Sequence, residues 1–407
     1  MRFFYTLGIR IYGLGIRMAA LGNPKAGQWV SGRKKWKQEL SSAQALKGCI
    51  WFHCASLGEF EQGRSLLEKL KRTYPSKPIL LTFFSPSGYL IRKNYDQADH
   101  IAYLPLDTPK NARIFLDKVK PDLAIFVKYE VWPNFFAAIA KRNIPLLMIS
   151  AIFSENQIYF KPYGKWFRKS LKQTHEIFTQ DVESINLLNS IGVVNTRIAG
   201  DTRFDRVIEI AKKTPDFPEL EQFTRNKPTI VAGSTWPADE ELLAKYAQKH
   251  PEVRFIIAPH ETYSDHIKTI LQKFPEAVRW SEKERIGTGN TVIIDSIGLL
   301  SAIYKYGSIA YVGGGFGSGI HNTLEPAVYG MPVIFGPEYK NFREAIALSD
   351  VGAGKSIKNY KELENFLNEL LESKELLAKM SSIAAQFVKE NAGATDIILE
   401  EIKKILN

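Results

Sequence analysis

Short β-favouring runs alternate with helical patterns along almost the whole chain, and this alternation limits the possible folds more than any other feature. The runs occupy residues 50–53, 79–82, 101–104, 123–127, 146–150, 176–179 and 194–199, and then 229–232, 254–258, 291–294, 309–312 and 332–335. Strand, helix and strand repeated in this way give parallel sheets joined by right-handed crossovers. A length of 407 residues provides enough chain for two such domains. Residues 215–228 carry prolines and charges without periodicity and read as a linker, which separates residues 23–214 from residues 229–407. Each half opens alike, with an apolar strand, a serine turn and an acidic helix start: IWFHCASLGEFEQG in the first and TIVAGSTWPADEEL in the second. The expected class is therefore α/β, two doubly wound domains facing across a cleft, with ligands at the carboxyl ends of the strands.

Residues 312–337, VGGGFGSGIHNTLEPAVYGMPVIFGP, read as strand, glycine loop, short helix and strand. Asn322 is placed to cap the helix, Glu325 stands three residues on, and Gly330 is the expected stop. Bare backbone beside a helix N-terminus suits an anion, so a phosphate is expected here; packing alone is the competing reason for such glycines. The run has no GxGxxG register. VGAGKS at 351–356 lacks the first glycine of a Walker A loop, where Ser349 stands instead.

A net charge of +11 raises nucleic acid, membranes and anionic substrates as partners. Its placement favours the last two. The first acid is Glu39, and before it come Arg2, Arg10, Arg17, Lys25, Arg33, Lys34, Lys35 and Lys37, while residues 1–22 are otherwise mostly apolar. Arg10 would sit near the middle of a bilayer span at a cost of about 2.5 to 3.5 kcal/mol. A helix lying in the interface, with Arg10 and Arg17 among anionic headgroups, fits better, the competing arrangement being a helix packed on its own domain. Nucleic acid is not expected, since the charge is diffuse beyond residue 40 and no binding motif is present. Cys49 and Cys54 flank an apolar strand and read as buried reduced thiols, consistent with a cytoplasmic setting. No HExxH pair or Cys/His cluster points to a metal.

Three residues stand out for chemistry. Glu59 follows the turn Ser56, Leu57, Gly58 at the mouth of the first strand, where it could take a proton from a hydroxyl or could simply start a helix. Glu130, in KYEVWPN, ends another apolar strand beside Lys128. Arg203, in GDTRFD, could bind carboxylate or phosphate through its planar fork, or could pair with Asp201 or Asp205. The chain has no D-x-D, the pair that commonly holds the cation in metal-dependent sugar transfer. Helix dipoles and basic side chains are then the expected stabilisers of a leaving group.

ASLGE at 55–59, YEVWPN at 129–134, GDTRFD at 200–205, GST at 233–235, VGGGFGSGIHNTLEPA from 312 and GPEYKNF from 336 together resemble the 3-deoxy-D-manno-octulosonic acid (Kdo) transferase family. The resemblance covers nearly the whole chain, with the basic apolar N-terminus and the GRKKW segment included. It implies a GT-B glycosyltransferase of two Rossmann-like domains, residues 23–214 binding the acceptor and 229–407 the CMP-sugar, after a membrane-associated helix at 1–22. It implies inverting transfer of Kdo from CMP-Kdo to the lipid A precursor without metal or cofactor, on the cytoplasmic face of the bacterial inner membrane.

Carried over, Glu59 looks like the general base, and Glu130 and Arg203 like stabilisers of the transition state. Asn322, Thr323, Leu324 and Glu325 resemble the CMP-binding run. Further substrate contacts are expected from Ser56, Gly58, Ser234, Thr235, Gly314, Gly315 and Asn341. The sequence departs from the family at three places. Lys128 replaces a frequent acid; Pro259 and His260 stand for a Pro-Arg nucleotide contact; and a GDTMGE motif appears as residues 294–299, so that Ile297, Gly298 and Leu299 lack its glutamate. The alternatives are another GT-B transferase using a different nucleotide sugar, or a two-domain binding protein without catalysis.

Overall fold

The protein is described by a computed structural model covering residues 1–42, 46–317 and 319–407; Ser318, inside the glycine run, lies outside the described residues. The chain forms two units, one of Met1–Asp205 with Ala392–Asn407, the other of Arg206–Asn391.

The first unit is built on the strands β1 (Ile50–Cys54), β2 (Ile79–Phe83), β3 (His100–Tyr103), β4 (Leu123–Val127), β5 (Leu146–Ala151), β6 (Glu176–Thr179) and β7 (Thr196–Ile198). They pair in the order β3-β2-β1-β4-β5-β6-β7, every pair parallel. The central strands are buried on both faces, as apolar runs in a helix-covered parallel sheet must be. Trp51, Phe126, Phe135 and Met148 pack one face, and Ile50, Phe52, Leu66 and Ile149 the other.

The second unit has β8 (Thr229–Thr235), β9 (Arg254–Pro259), β10 (Val278–Arg279), β11 (Thr291–Ile293), β12 (Ile309–Val312), β13 (Val333–Phe335) and β14 (Gly354–Ser356), ordered β10-β11-β9-β8-β12-β13-β14 and again all parallel. Chain order reverses between β1 and β4 in the first sheet and between β8 and β12 in the second. Doubly wound sheets bind ligands outside the carboxyl ends at such points, because the flanking crossovers leave in opposite directions and open a crevice.

The division of the chain differs from the expected 23–214 and 229–407. Residues 215–228 are no free linker, since the helix Pro218–Thr224 buries Leu220 and Phe223 in the second unit. The helix Ala394–Leu406 returns to the first unit, where Ile398 and Ile402 complete the core against α4 (Leu57–Thr73). Asp205 fixes its start by accepting from the Gly393 N–H at 2.6 Å and the Thr395 N–H at 2.7 Å.

Residues 2–42 add α1 (Arg2–Ala19), α2 (Pro24–Gly32) and α3 (Trp36–Ser42) to the first unit. One face of α1 is docked there: Gly13 is buried, the Tyr5 hydroxyl donates to Asp107 at 2.8 Å and Arg2 Nε donates to Asn134 at 2.8 Å. The opposite face is apolar and open, with Phe3 72%, Phe4 70%, Ile11 62% and Met18 67% exposed, and Leu21 in the turn that follows is 92% exposed. No helix among the described residues is long and apolar enough to cross a membrane.

Candidate active site

In the first unit the switch point carries charge. α4 begins directly after β1, and Glu59 in its first turn folds back so that one carboxylate oxygen accepts from the Ala55 N–H at 2.5 Å and the Ser56 N–H at 3.1 Å. This is the helix-start geometry. It also holds the carboxylate at the end of β1, and among the described residues its Oε1 accepts no hydrogen bond. Ser56 is the N-cap residue and Gly58 is exposed in the same turn.

Glu130 follows β4 on the other side of the reversal. Burial, and then the charge of Glu59, raise its pKa to about 7, while Lys128 pulls it down. Burial also raises Glu59, against the Ala55 N–H and Lys128. The two carboxyls are thus both raised by burial and coupled to each other, with the charge of Glu59 adding to the upward push on Glu130. Lys128 occupies a left-handed backbone at φ 62°, as do Ser150 at the end of β5 (φ 52°) and Ser234 at the end of β8 (φ 53°). Such positions are uncommon for residues with a side chain and gather at functional sites. Nothing in the residue types marked them in advance.

The structure places Arg203 against its neighbour: Nε lies 2.8 Å and Nη2 2.7 Å from Asp201 Oδ2. GDTRFD is tied into the fold throughout. The Thr202 hydroxyl bonds to the Gln62 carbonyl on α4 and lies 3.0 Å from the Ser150 hydroxyl, and Asp205 caps the returning helix. Thr202 is thereby held against α4 one turn beyond Glu59, and the guanidinium of Arg203 beside it is already engaged by a carboxylate.

In the second unit the corresponding place is built from rings and bare backbone. A Cβ on Gly313 would come within 2.4 Å of the Ser234 carbonyl oxygen, and one on Gly315 within 2.6 Å of the Gly336 nitrogen. These two glycines let strand-end loops pack backbone on backbone, the packing reason weighed for them above. Asp239, fully buried, joins the loops after β8 and β12: it accepts from the Trp236 N–H at 2.9 Å, the Gly314 N–H at 2.9 Å and the Tyr311 hydroxyl at 2.7 Å. Its position three residues into the acidic helix start was the available signal for this role.

His260, after Pro259 at the end of β9, donates its N–H to the Thr235 carbonyl at 2.9 Å and stacks on Trp236 at 4.8 Å and on His321 at 4.5 Å. Trp236 Nε1 donates to His321 Nε2 at 3.3 Å. Trp236 and His321 therefore lie edge to edge, with His260 across both and exposed on its outer side. Burial and the neighbouring His260 push His321 down to about 4, so its imidazole is neutral and can accept the indole proton.

Asn322 accepts from the Leu324 N–H at 3.1 Å and donates to Glu325 at 3.1 Å, and Glu325 also accepts from Ser301 at 2.7 Å. Thr323 is fully buried, and its hydroxyl has no partner among the described residues. The helix that follows is a single turn, Leu324–Ala327. The structure thus gathers Ser234, Thr235, His260, Gly314, Gly315, Asn322, Thr323, Leu324 and Glu325 around one switch point. Leu299 precedes the helix that carries Ser301, with Ile297 and Gly298 exposed before it. Asn341 stands exposed in the turn before the helix Arg343–Asp350, tied to this group by no side-chain hydrogen bond among the described residues.

A family model described as 3-Deoxy-D-manno-octulosonic-acid transferase (kdotransferase) matches residues 32–206, a stretch that ends where the first unit ends. A 3-deoxy-D-manno-octulosonic acid transferase of Aquifex aeolicus is 31% identical over 82% of this chain and 89% of its own. One from Rickettsia bellii is 29% identical over 87% of each. Among solved structures, the UDP-GlcNAc 2-epimerase of Neisseria meningitidis bound to UDP-GlcNAc superposes with a TM-score of 0.61 at 17% identity, covering 87% of this chain and 99% of its own. That likeness is one of fold.

Proposed function

The chain belongs to the 3-deoxy-D-manno-octulosonic acid (Kdo) transferase family and is a glycosyltransferase of lipopolysaccharide biosynthesis, and from this premise we propose that it moves Kdo from CMP-Kdo to the lipid A precursor. The observation that carries the reading is the pair Glu59 and Glu130 on either side of the first unit's switch point, both raised by burial and the second of them to about 7.

The acceptor hydroxyl oxygen attacks the anomeric carbon of Kdo as the bond from that carbon to the CMP phosphate oxygen breaks. CMP departs with the electron pair, and the hydroxyl proton passes to Glu59, whose raised pKa makes it a better base than an exposed carboxylate. Protonated Glu130 can donate a hydrogen bond where negative charge develops, and a single displacement inverts the centre. In the second unit, Asn322, Thr323 and Glu325 hold the nucleotide, and the outer face of His260 offers a flat surface to the base.

The acceptor never leaves the bilayer, and the open face of α1 suits the interface. Phe3, Phe4, Leu7, Ile11, Leu14, Met18 and Leu21 recur at helical spacing as one exposed stripe, with Arg10 and Arg17 along its edge. We place the protein on the cytoplasmic face of the inner membrane through this stripe.

Incubation with CMP-Kdo and a tetraacylated disaccharide lipid, read by mass spectrometry, should show the mass gain of Kdo with release of CMP. Gain only from another nucleotide sugar would move the protein to a different donor, and no gain with any donor would overturn the reading. Replacing Phe4, Leu7 and Ile11 together by serine should abolish sedimentation with anionic liposomes at unchanged melting temperature. Undiminished sedimentation would refute the placement of α1.

A further inference from the structure

A second basic site lies in the first unit, away from the carboxylates. Arg17 at the end of α1, Trp29 on α2, Lys34 in the turn that follows, and Trp36 and Lys37 on α3 line a cavity of about 420 Å³, closed below by Leu106 from the loop after β3. Among the described residues that line it, the charged ones, Arg17, Arg33, Lys34 and Lys37, are all cationic.

Two observations show how an anion would be received there. Trp29 is 7% exposed, and its buried Nε1–H has no acceptor among the described residues. Arg33, also in the wall, lies 3.9 Å over the Trp29 ring and donates only to carbonyls, those of Leu104 at 2.9 Å, Trp29 at 3.2 Å and Phe84 at 2.5 Å. Burial works against its charge, and no described carboxylate offsets that. A buried cation and an orphaned donor on residues of one cavity wall both carry a cost that an acceptor-rich anion would offset.

We propose that this cavity binds the phosphate of an anionic membrane phospholipid. The source is fixed by the surroundings: Arg17 belongs to α1, and on the same helix Leu14 and Met18 are exposed, 58% and 67%. The inference rests on the interfacial placement of α1. The phosphate takes hydrogen bonds from Arg17, Lys34 and the Trp29 indole, and the acyl chains run along the apolar stripe. The contact converts a diffuse attraction to negative surfaces into a saturable one.

The test uses the full chain and dihexanoyl-phosphatidylglycerol below its micelle concentration, titrated in a calorimeter, so that it does not depend on whether vesicles are bound. A saturable site is expected. Lys34→Ala should weaken it about tenfold, by loss of a charge-assisted bond, and Trp29→Phe about threefold, since only a neutral donor is lost and the ring is kept. Arg10→Ala, on α1 but outside the cavity, should leave it unchanged. Inorganic phosphate competing as well as the lipid would overturn the lipid assignment. Equal losses for Arg10→Ala and Lys34→Ala, or none for Lys34→Ala and Trp29→Phe, would overturn the site itself. A raised acceptor KM in detergent for Lys34→Ala, with unchanged phospholipid binding, would give the cavity to the acceptor instead. Vesicle sedimentation of the unaltered chain separates these from failure of the α1 placement, which would abolish sedimentation while leaving the calorimetric site intact.

Discussion

Where the first sheet reverses, the chain has placed two carboxyl groups and a lysine with few neutral partners; where the second reverses, it has placed Trp236, His260 and His321 flat against each other and packed Gly313 and Gly315 on backbone. Both sites stand on the same parallel scaffold and follow strands of similar apolar composition. The first suits handling a proton, because burial raises both carboxyls and brings Glu130 to about 7. The second suits holding a planar, anionic ligand, because its groups are stacked rings and hydrogen-bonding backbone amides. The topology places the crevice, and the few residues just past each strand decide its chemistry.

The largest effect that would break this contrast is on turnover. Glu59→Gln should lower it by about 10² to 10⁴ while CMP affinity by calorimetry stays put. Equal losses in both would mean that Glu59 serves the fold as a helix start. In the second unit, Asp239→Ala should cost about 3 kcal/mol in urea unfolding, since it strands two backbone N–H groups and the Tyr311 hydroxyl. A loss below about 1 kcal/mol would show that the two loops hold together without it.

Glu130 sharpens the contrast through pH. The folded chain keeps this proton up to about 7, where an ordinary glutamate releases it near 4.5, so the contribution of Glu130 to stability is full below 4.5 and is lost as pH rises through that window. Glu130→Gln should remove this fall and make the protein about 1 to 3 kcal/mol more stable than the parent at pH 8. A variant with the parent's slope would place the titration elsewhere. The smallest effect is expected from Asn322→Ala, about tenfold in CMP affinity with turnover at saturating donor preserved. If only the melting temperature changes, Asn322 is a cap and nothing more.

Much of the architecture was legible because apolar runs of strand length are unambiguous when helices follow each one. β10 and β14 were not, since Val278–Arg279 and Gly354–Ser356 are too short and too polar to stand out and become strands only through an edge partner. The serine turns and the glycine loop could be read as site material from their place after strands. The ring group could not, because Trp236, His260 and His321 are scattered in sequence and meet only when β8, β9 and β12 align. Arg203 was visible, but its pairing with Asp201 was one of two open readings. The helix Ala394–Leu406 carries an ordinary amphipathic pattern that names no partner, so its return to the first unit is a tertiary fact.

That return has a consequence for biosynthesis. Sheet, α4 and the Asp205 cap of the first unit emerge early, yet the side chains that seal one face of its core, Ile398 and Ile402, are translated after the whole of the second unit. The apolar surface left by the early part of the first unit stays uncovered until that helix has been made and has docked, so this half cannot complete its core before the residues of the second unit have been made.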